Sequence, residues 1–216
     1  MIRLDIISDP VCPWCYIGKT RLEQAISARP ELDFQLEWHP FQLNPDMPPE
    51  GMERRAYLEL KFGGRERAVA IYRQIADAAA EAGIEISYER IERMPNTLDA
   101  HRLIHWAGLE GVQNQVVGGL FQAYFQQGQD ISDPKVLVDI ATAAGIDGEM
   151  IAKLLDQDVD KQDIQKRDAN ARQKGVSGVP CFIINNAHAV TGAQPSDLWL
   201  RVFDDIAANT SGPAAG

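Results

Sequence analysis

The sequence predicts an α/β fold in which a β-α-β unit and a later β-β-α unit are separated by a long all-helical insertion. Three observations predict it. An alternating apolar pattern opens the chain and runs into a helical one; helical periodicity then dominates from about residue 53 to 174; strand patterns return only near the end. At 216 residues the chain is long enough to bury a sizeable core without disulfide staples.

The elements follow in order. Ile2, Leu4 and Ile6 alternate with Arg3 and Asp5, and Ile7 extends the run, giving a strand over residues 2–8. A turn at Asp9-Pro10 leads to Cys12-Pro13-Trp14-Cys15, and Leu22, Ala25 and Ile26 recur at helical spacing until Arg29-Pro30. Phe34, Leu36 and Trp38, with Phe41 and Leu43 past Pro40, mark a second strand within residues 32–43. Asn44-Pro45-Asp46, Pro48-Pro49 and Gly51 read as a linker. Beyond it, Ala68, Ile71, Tyr72, Ile75 and Ala79 form one helical face, Leu103, Ile104 and Ala107 another, and Val117, Leu120, Phe121 and Tyr124 a third. Asp133-Pro134 is an acidic N-cap followed by Pro at the first helical position; Val136, Leu137, Ile140 and Ala141 should face inward, with Gly145 as the C-terminal cap. Ile151, Leu154 and Leu155 continue the pattern. A charged helix should run from Asp160 to Lys174, and the acidic run Asp156, Asp158, Asp160, Asp163 alternates with Lys161, Lys166 and Arg167 as a solvated face does. Gly178-Val179-Pro180 precedes a strand at Cys181–Ile184, Asn185-Asn186 turns into Ala187–Val190, and a final helix beyond Pro195 carries Leu198, Leu200, Val202, Phe203 and Ile206. The tail from Asn209 to Pro213 reads as frayed. The expected divisions are 1–45 and 175–216 for the two parts of the core and 46–174 for the insertion.

Acidic residues number 31 and basic residues 21, a net charge of −10, which argues against a nucleic-acid partner because such binding draws on clustered Lys and Arg. No apolar run approaches the roughly 20 residues that span a bilayer. The opening apolar stretch is short, interrupted by Asp5 and followed by Asp9-Pro10, so it reads as a strand and not as a secretory leader; the expected compartment is the cytoplasm. Three cysteines, Cys12, Cys15 and Cys181, are too few for a secreted disulfide framework.

Two of them form Cys-x-x-Cys. Residues i and i+3 on a helix are neighbours, and a modest adjustment brings such a pair to disulfide distance. At the start of a helix, unpaired N–H groups and the helix dipole favour a thiolate, lowering its pKa from about 8.5 into the range of about 3.5–7.5. Pro13 is tolerated in the first turn, where its missing N–H has no intrahelical partner. Cys12 is then the exposed nucleophile and Cys15 the buried resolving thiol, with Lys19 adding to the field. Two other uses of the motif stay open: half of a zinc site completed by Cys181 and one of His39, His101, His105 or His188, and two packed structural cysteines. The position between a strand and a helix within β-α-β favours the redox use.

Three segments carry a family resemblance: Ser8-Asp9-Pro10-Val11-Cys12-Pro13-Trp14-Cys15-Tyr16-Ile17-Gly18, Pro95-Asn96-Thr97 with Ala100-His101, and Gly175-Val176-Ser177-Gly178-Val179-Pro180. With them the chain resembles the DsbA-like branch of the thioredoxin superfamily, which includes FrnE-type oxidoreductases and 2-hydroxychromene-2-carboxylate isomerases. The resemblance implies a thioredoxin-like core interrupted by a helical domain, and a cis-proline at Val179-Pro180 facing the cysteines. Cis X-Pro bonds are a minority in folded proteins, so the resemblance alone carries that assignment. Val179 would offer its backbone to a substrate peptide. Relatives commonly carry Thr where this chain has Cys181, which is either a small apolar residue opening a strand or a third redox thiol close to Cys12. Ile6 stands where such proteins often have a buried carboxylate serving the resolving thiol; Glu37 or a water are the substitutes, Asp5 pointing to the opposite face.

Pro13, Trp14, Val179, Pro180 and Cys181 are therefore the substrate-binding candidates, with Trp14 exposed as an apolar surface for partners. His101 follows Asn96-Thr97 and is either a substrate or glutathione contact or a packed histidine behind a helix cap. His39 and His105 are expected to be structural. The leading expectation is a thiol–disulfide oxidoreductase in which Cys12 attacks a disulfide and Cys15 resolves the mixed disulfide, working as reductase or isomerase in a reducing cytosol. It needs no bound cofactor, with glutathione a candidate co-substrate, and its partner is a disulfide-containing protein or a small thiol. The alternatives are a glutathione-dependent isomerase or transferase acting on an aromatic or polyketide-like molecule, whose relatives usually carry Ser at the nucleophile position, and a non-catalytic thiol-binding or chaperone-like module.

Overall fold

Residues 1–210 are described in the computed structural model, with side chains to Ala208. The chain opens with β1 (Ile2–Ser8), α1 (Pro13–Ser27) and β2 (Phe34–Pro40). The middle holds α2 (Arg54–Phe62), α3 (Arg65–Glu81), α4 (Leu98–Leu109), α5 (Gln113–Phe121), α6 (Pro134–Ala143), α7 (Gly148–Leu155) and α8 (Lys161–Gln173), together with two two-residue strands, β3 (Met52–Glu53) and β4 (Arg93–Met94). It closes with β5 (Cys181–Ile184), β6 (His188–Thr191) and α9 (Ser196–Thr210). The helix runs through Asn209 and Thr210, where fraying was expected; the rest of that tail, Ser211-Gly212-Pro213, lies outside the described residues.

The main sheet has the order β2-β1-β5-β6, with β2 parallel to β1 and the other pairs antiparallel. Central β1 pairs Leu4 with Leu36 and Ile184, and Ile6 with Trp38 and Phe182, so the even positions of the opening pattern form one apolar face. Helix α9 covers that face: the Phe182 and Trp199 rings meet edge to face at 4.9 Å, and Phe34 meets Phe203 at 4.7 Å. Trp199, Phe182 and Phe203 are fully buried, each contributing about 1.5–3 kcal/mol of hydrophobic stabilisation. Helix α1 packs beside α9, and Gly18 sets how closely α1 approaches the start of β5: a Cβ there would stand 3.0 Å from Pro180 and 3.2 Å from Phe182. The connection between β5 and β6 is the three residues Asn185, Asn186 and Ala187, with both asparagines at positive φ and Ala187 N donating to the Ile184 carbonyl at 2.9 Å.

The odd positions of β1 face the other way. There Arg3 binds Asp5 and Glu37 at 2.9 Å each, and His39 Nε2 lies 2.8 Å from Asp5. Ile7, Phe41 and Cys181 form a small second core with Ala171 and Val176 against this face. Helix α8 holds it: the buried Asp168 accepts from the Gln42 amide at 2.9 Å, and Arg172 donates to the Gln42 carbonyl while lying over the Phe41 ring at 4.0 Å.

Two features of the helical region depart from the expected run of plain helices. The β3–β4 ribbon is too short to leave a periodic signal. The helix through Phe121 widens into a π-turn over Gln122–Gln126, which brings Phe125 as well as Phe121 onto Tyr16, with ring centroids 5.8 and 5.1 Å away. The predicted caps of α6 form, Asp133 accepting from Lys135 N at 2.8 Å, and the Ile146 and Gly145 amides closing the C-terminus on Ala141 and Thr142. Of its expected inward residues, Leu137 and Ala141 are buried and Val136 and Ile140 half-buried. Asp160 is not merely a solvated charge: its carboxylate accepts from Trp106 Nε1 at 2.8 Å.

Arg102 is fully buried, donating to the carbonyls of Leu154, Gln157 and Val159 at 2.6–2.7 Å and to Asp99 at 2.7 Å. It caps the end of α7 from α4. Arg102→Met should therefore destabilise the protein by about 3 kcal/mol, read as a lower midpoint in urea or heat, because it strands buried carbonyls.

Candidate active site

The site grows from the junction of β1 and α1. Cys12 is the N-cap residue of α1 in extended backbone, and its carbonyl accepts from Cys15 N at 3.0 Å and Tyr16 N at 3.2 Å. Pro13 takes the first helical position. Cys12 and Cys15 lie 3.4 Å apart as free thiols. The loop before β5 returns beside them: the Val179-Pro180 peptide is cis, and Cys12 Sγ donates to the Val179 carbonyl at 3.6 Å.

Cys12 is 4% exposed, where an exposed nucleophile was expected. The reason is tertiary. Besides the Val179 loop, α2 comes down on the segment after β2 that Asp9 holds beside Cys12. Tyr57 Oη and Lys61 Nζ both donate to Asn44 Oδ1, at 2.8 and 3.2 Å. Burial pushes the Tyr57 hydroxyl up to about 12, so it remains a neutral donor at neutral pH. Burial also draws the Lys61 ammonium below its usual value, with Asp9 and Cys12 opposing. Trp14 is half-buried against the main core and not freely exposed.

Cys15 is 1% exposed. Burial first, then the neighbouring Cys12, push its thiol well above the ordinary value, while the Ser8 hydroxyl and the Asp9 backbone amide pull back. Ser8 and Asp9 are the partners that reading the sequence missed. Asp9 is fully buried: Oδ2 accepts from Leu43 N at 2.7 Å, Oδ1 lies 3.5 Å from Val11 N, and its carbonyl accepts from Cys12 N at 2.9 Å. His101 Nε2 lies 3.6 Å from Asp9 Oδ1; the ring is 2% exposed and packed behind the site. The signal for Asp9 was its place three residues before Cys12 inside the matched segment.

Three other expectations change. Glu37 does not serve Cys15, because it shares the Asp5 face of the sheet and binds Arg3 and His39. Lys19 does not add to the Cys12 field; it pairs with Glu23 at 2.5 Å. Cys181 lies on the face opposite Phe182, packed with Ile7 and Phe41 in the second core, where burial raises its thiol pKa. Among the described residues the His, Cys, Asp and Glu donors that come together are Asp5, Glu37 and His39, so Cys181 and the Cys12–Cys15 pair share no cluster of metal ligands. Arg3 already binds both carboxylates of that trio. His105 pairs with Arg167 at 3.1 Å.

A family model for the DSBA-like thioredoxin domain matches residues 3–203. The chain belongs to that family. This DsbA-like chain is similar to the probable DsbA oxidoreductase SCO1869 from Streptomyces coelicolor, with TM-score 0.86 and 28% identity over 100% of this chain and 94% of that one. It shares its fold with a 2-hydroxychromene-2-carboxylate isomerase, TM-score 0.75 at 13% identity, covering 99% and 100%. It shares it also with the cytosolic disulfide reductase DsbM from Pseudomonas aeruginosa, TM-score 0.68 at 17% identity, covering 97% and 100%. Among the described residues no helix is long and apolar enough to cross a membrane.

The Ser8 contact yields a test. Ser8→Ala removes the hydroxyl that opposes the raised Cys15 pKa, so alkylation of Cys15 in a Cys12→Ser background at pH 7 should slow several-fold. The thiolate fraction rises with pH until the raised pKa is passed, so the deficit should shrink at high pH, as the alkylation rate followed against pH would show.

Proposed function

We propose that this DsbA-like protein is a thiol–disulfide oxidoreductase whose working pair is Cys12 and Cys15. The observation that carries the reading is the asymmetry of the two thiols. Cys12 caps a helix N-terminus, where the dipole favours negative charge, under the Val179 carbonyl; Cys15 lies one turn in, buried and held protonated. In the reductive direction the Cys12 thiolate attacks one sulfur of a substrate disulfide, and the other sulfur leaves as a thiolate. Cys15 then gives up its proton and attacks the Cys12 sulfur, releasing the second substrate thiolate and leaving the pair oxidised. Two electrons have passed to the substrate, and a low-molecular-weight thiol such as glutathione restores the pair. The protein binds no resident cofactor for this chemistry.

Pro13, Trp14, Val179 and Pro180 form the substrate surface in this reading, Val179 supplying backbone groups for an extended segment. Three cysteines, too few for a disulfide framework, fit a reducing cytoplasm, where the pair rests largely reduced and works as reductase or isomerase. Cys181 is a core residue here, and His101 positions Asp9 from behind instead of touching substrate.

Three variants test the proposal with insulin reduction and a coloured aromatic disulfide as substrates. Cys12→Ser should abolish both activities. Cys15→Ser should accumulate a mixed disulfide at Cys12, visible by mass spectrometry. Activity that survives Cys12→Ser would sink the reading. Cys181→Ser should leave the reduction potential of the pair within about 10 mV, since 30 mV corresponds to about 1.4 kcal/mol and its sulfur faces the other core.

A further inference from the structure

A groove of about 360 Å³ lies where α2 and α3 meet the turn at Tyr88. Its walls include Leu58, Ala68 and Val69, the last 52% exposed. Arg54, Arg55 and Arg65 line it together with Tyr72 and Tyr88, against a single acidic lining residue, Glu59. Glu59 is engaged with Arg55 at 3.1 Å, and the neighbouring Glu53 is engaged in capping α2 through the Arg55 and Ala56 amides. Among the described residues Arg54 and Arg65 have no carboxylate at ion-pair distance. The Arg54 guanidinium lies over both aromatic rings, 4.9 Å from Tyr72 and 5.2 Å from Tyr88. Tyr88 Oη is sealed from solvent, so Tyr88 borders the groove with its ring and not with its hydroxyl.

This is an uncompensated positive, apolar-walled pocket in a protein of net charge −10. Guanidinium groups recognise carboxylates with two parallel hydrogen bonds, and an apolar wall with two tyrosine rings suits a flat or alkyl body. Helix α2, which forms one wall, also borders the thiols: Tyr57, beside the lining residue Leu58, donates to Asn44 at 2.8 Å, the Leu43 amide donates to Asp9 at 2.7 Å, and the Asp9 carbonyl accepts from Cys12 N at 2.9 Å. We infer that this groove binds the carboxylate-bearing, apolar end of a small disulfide and delivers its sulfur to Cys12. The inference rests on the redox reading of Cys12 for the delivery and stands apart from it for the binding. A recessed Cys12 agrees with a small substrate. Arg54 and Arg65 take the carboxylate, and the Tyr72 and Tyr88 rings border the body. The electrons follow the route already given: Cys12 forms the mixed disulfide, one substrate half leaves as thiolate, and Cys15 releases the other.

Two measurements test it. The Cys12→Ser/Cys15→Ser protein, which has no redox pair, is titrated with anilinonaphthalene sulfonate, an aromatic anion. One saturable site is expected, with a dissociation constant at least tenfold higher after Arg54→Gln/Arg65→Gln; an unchanged constant overturns the groove. Separately, the reduced protein is reacted with dithiobis(nitrobenzoate), a dianionic aromatic disulfide, and with dithiodipyridine, an uncharged one. The ratio of the two rates should fall at least tenfold in the arginine variant, and an unchanged ratio overturns the delivery. A wild-type Cys12 that reacts with neither disulfide removes the redox reading, and the titration still decides the groove. Should the double variant fail to fold, Arg65→Gln at an exposed position gives the same readings.

Discussion

The site depends on one buried carboxylate. Asp9 ends β1, and its two oxygens and its backbone hold the first turn of α1, the segment after β2 and the sulfur of Cys15 in one arrangement. A carboxylate with no exposure is tolerated only where its lone pairs are used, and amides of Leu43 and Val11 use them. His101 reaches the same group from α4, so the helical region is attached to the core at the base of the cysteine pair. The cysteines are held by chain segments that are distant in sequence, and a change in any of them is felt at the sulfurs.

Much of the fold was legible. Alternation in β1 identified its two faces, and the same alternation placed Asp5 away from the cysteines. Local chemistry also read correctly at Asp133-Pro134, at Gly145 and at Asn185-Asn186, where short-range rules decide. The misreadings turn on strand register and tertiary packing. Glu37 is on the Asp5 face because cross-strand register puts it opposite Asp5. Cys181 follows Pro180 directly, yet strand alternation turns it away while Phe182 turns in. The burial of Cys12 and Trp14 depends on elements packed from elsewhere, which no local pattern reports. The π-turn at Gln122–Gln126 keeps an apolar pattern that an ordinary helix would share, so only the tertiary packing reveals it.

Electrostatics divides the molecule along different lines from the chain divisions. The overall charge is negative, but the surroundings of Cys12 combine neutral phenols, a lysine whose charge burial opposes, and unpaired arginines further out. Cys15, in contrast, has desolvation and the neighbouring Cys12 against its charged form, and the Ser8 hydroxyl and the Asp9 backbone for it.

Tyr16 carries a further consequence. It follows Cys15 directly, its ring stacks on Phe121 and Phe125, and its hydroxyl accepts from Gln126 at 3.0 Å. The residue beside the resolving thiol is thus gripped by the inserted helices. Any event that stabilises those helices more around one redox form than around the other must, by closure of the thermodynamic cycle, move the redox equilibrium by the same free energy, about 30 mV for each 1.4 kcal/mol. Evolution can then retune the potential of the pair through the insertion while leaving Cys-Pro-Trp-Cys untouched.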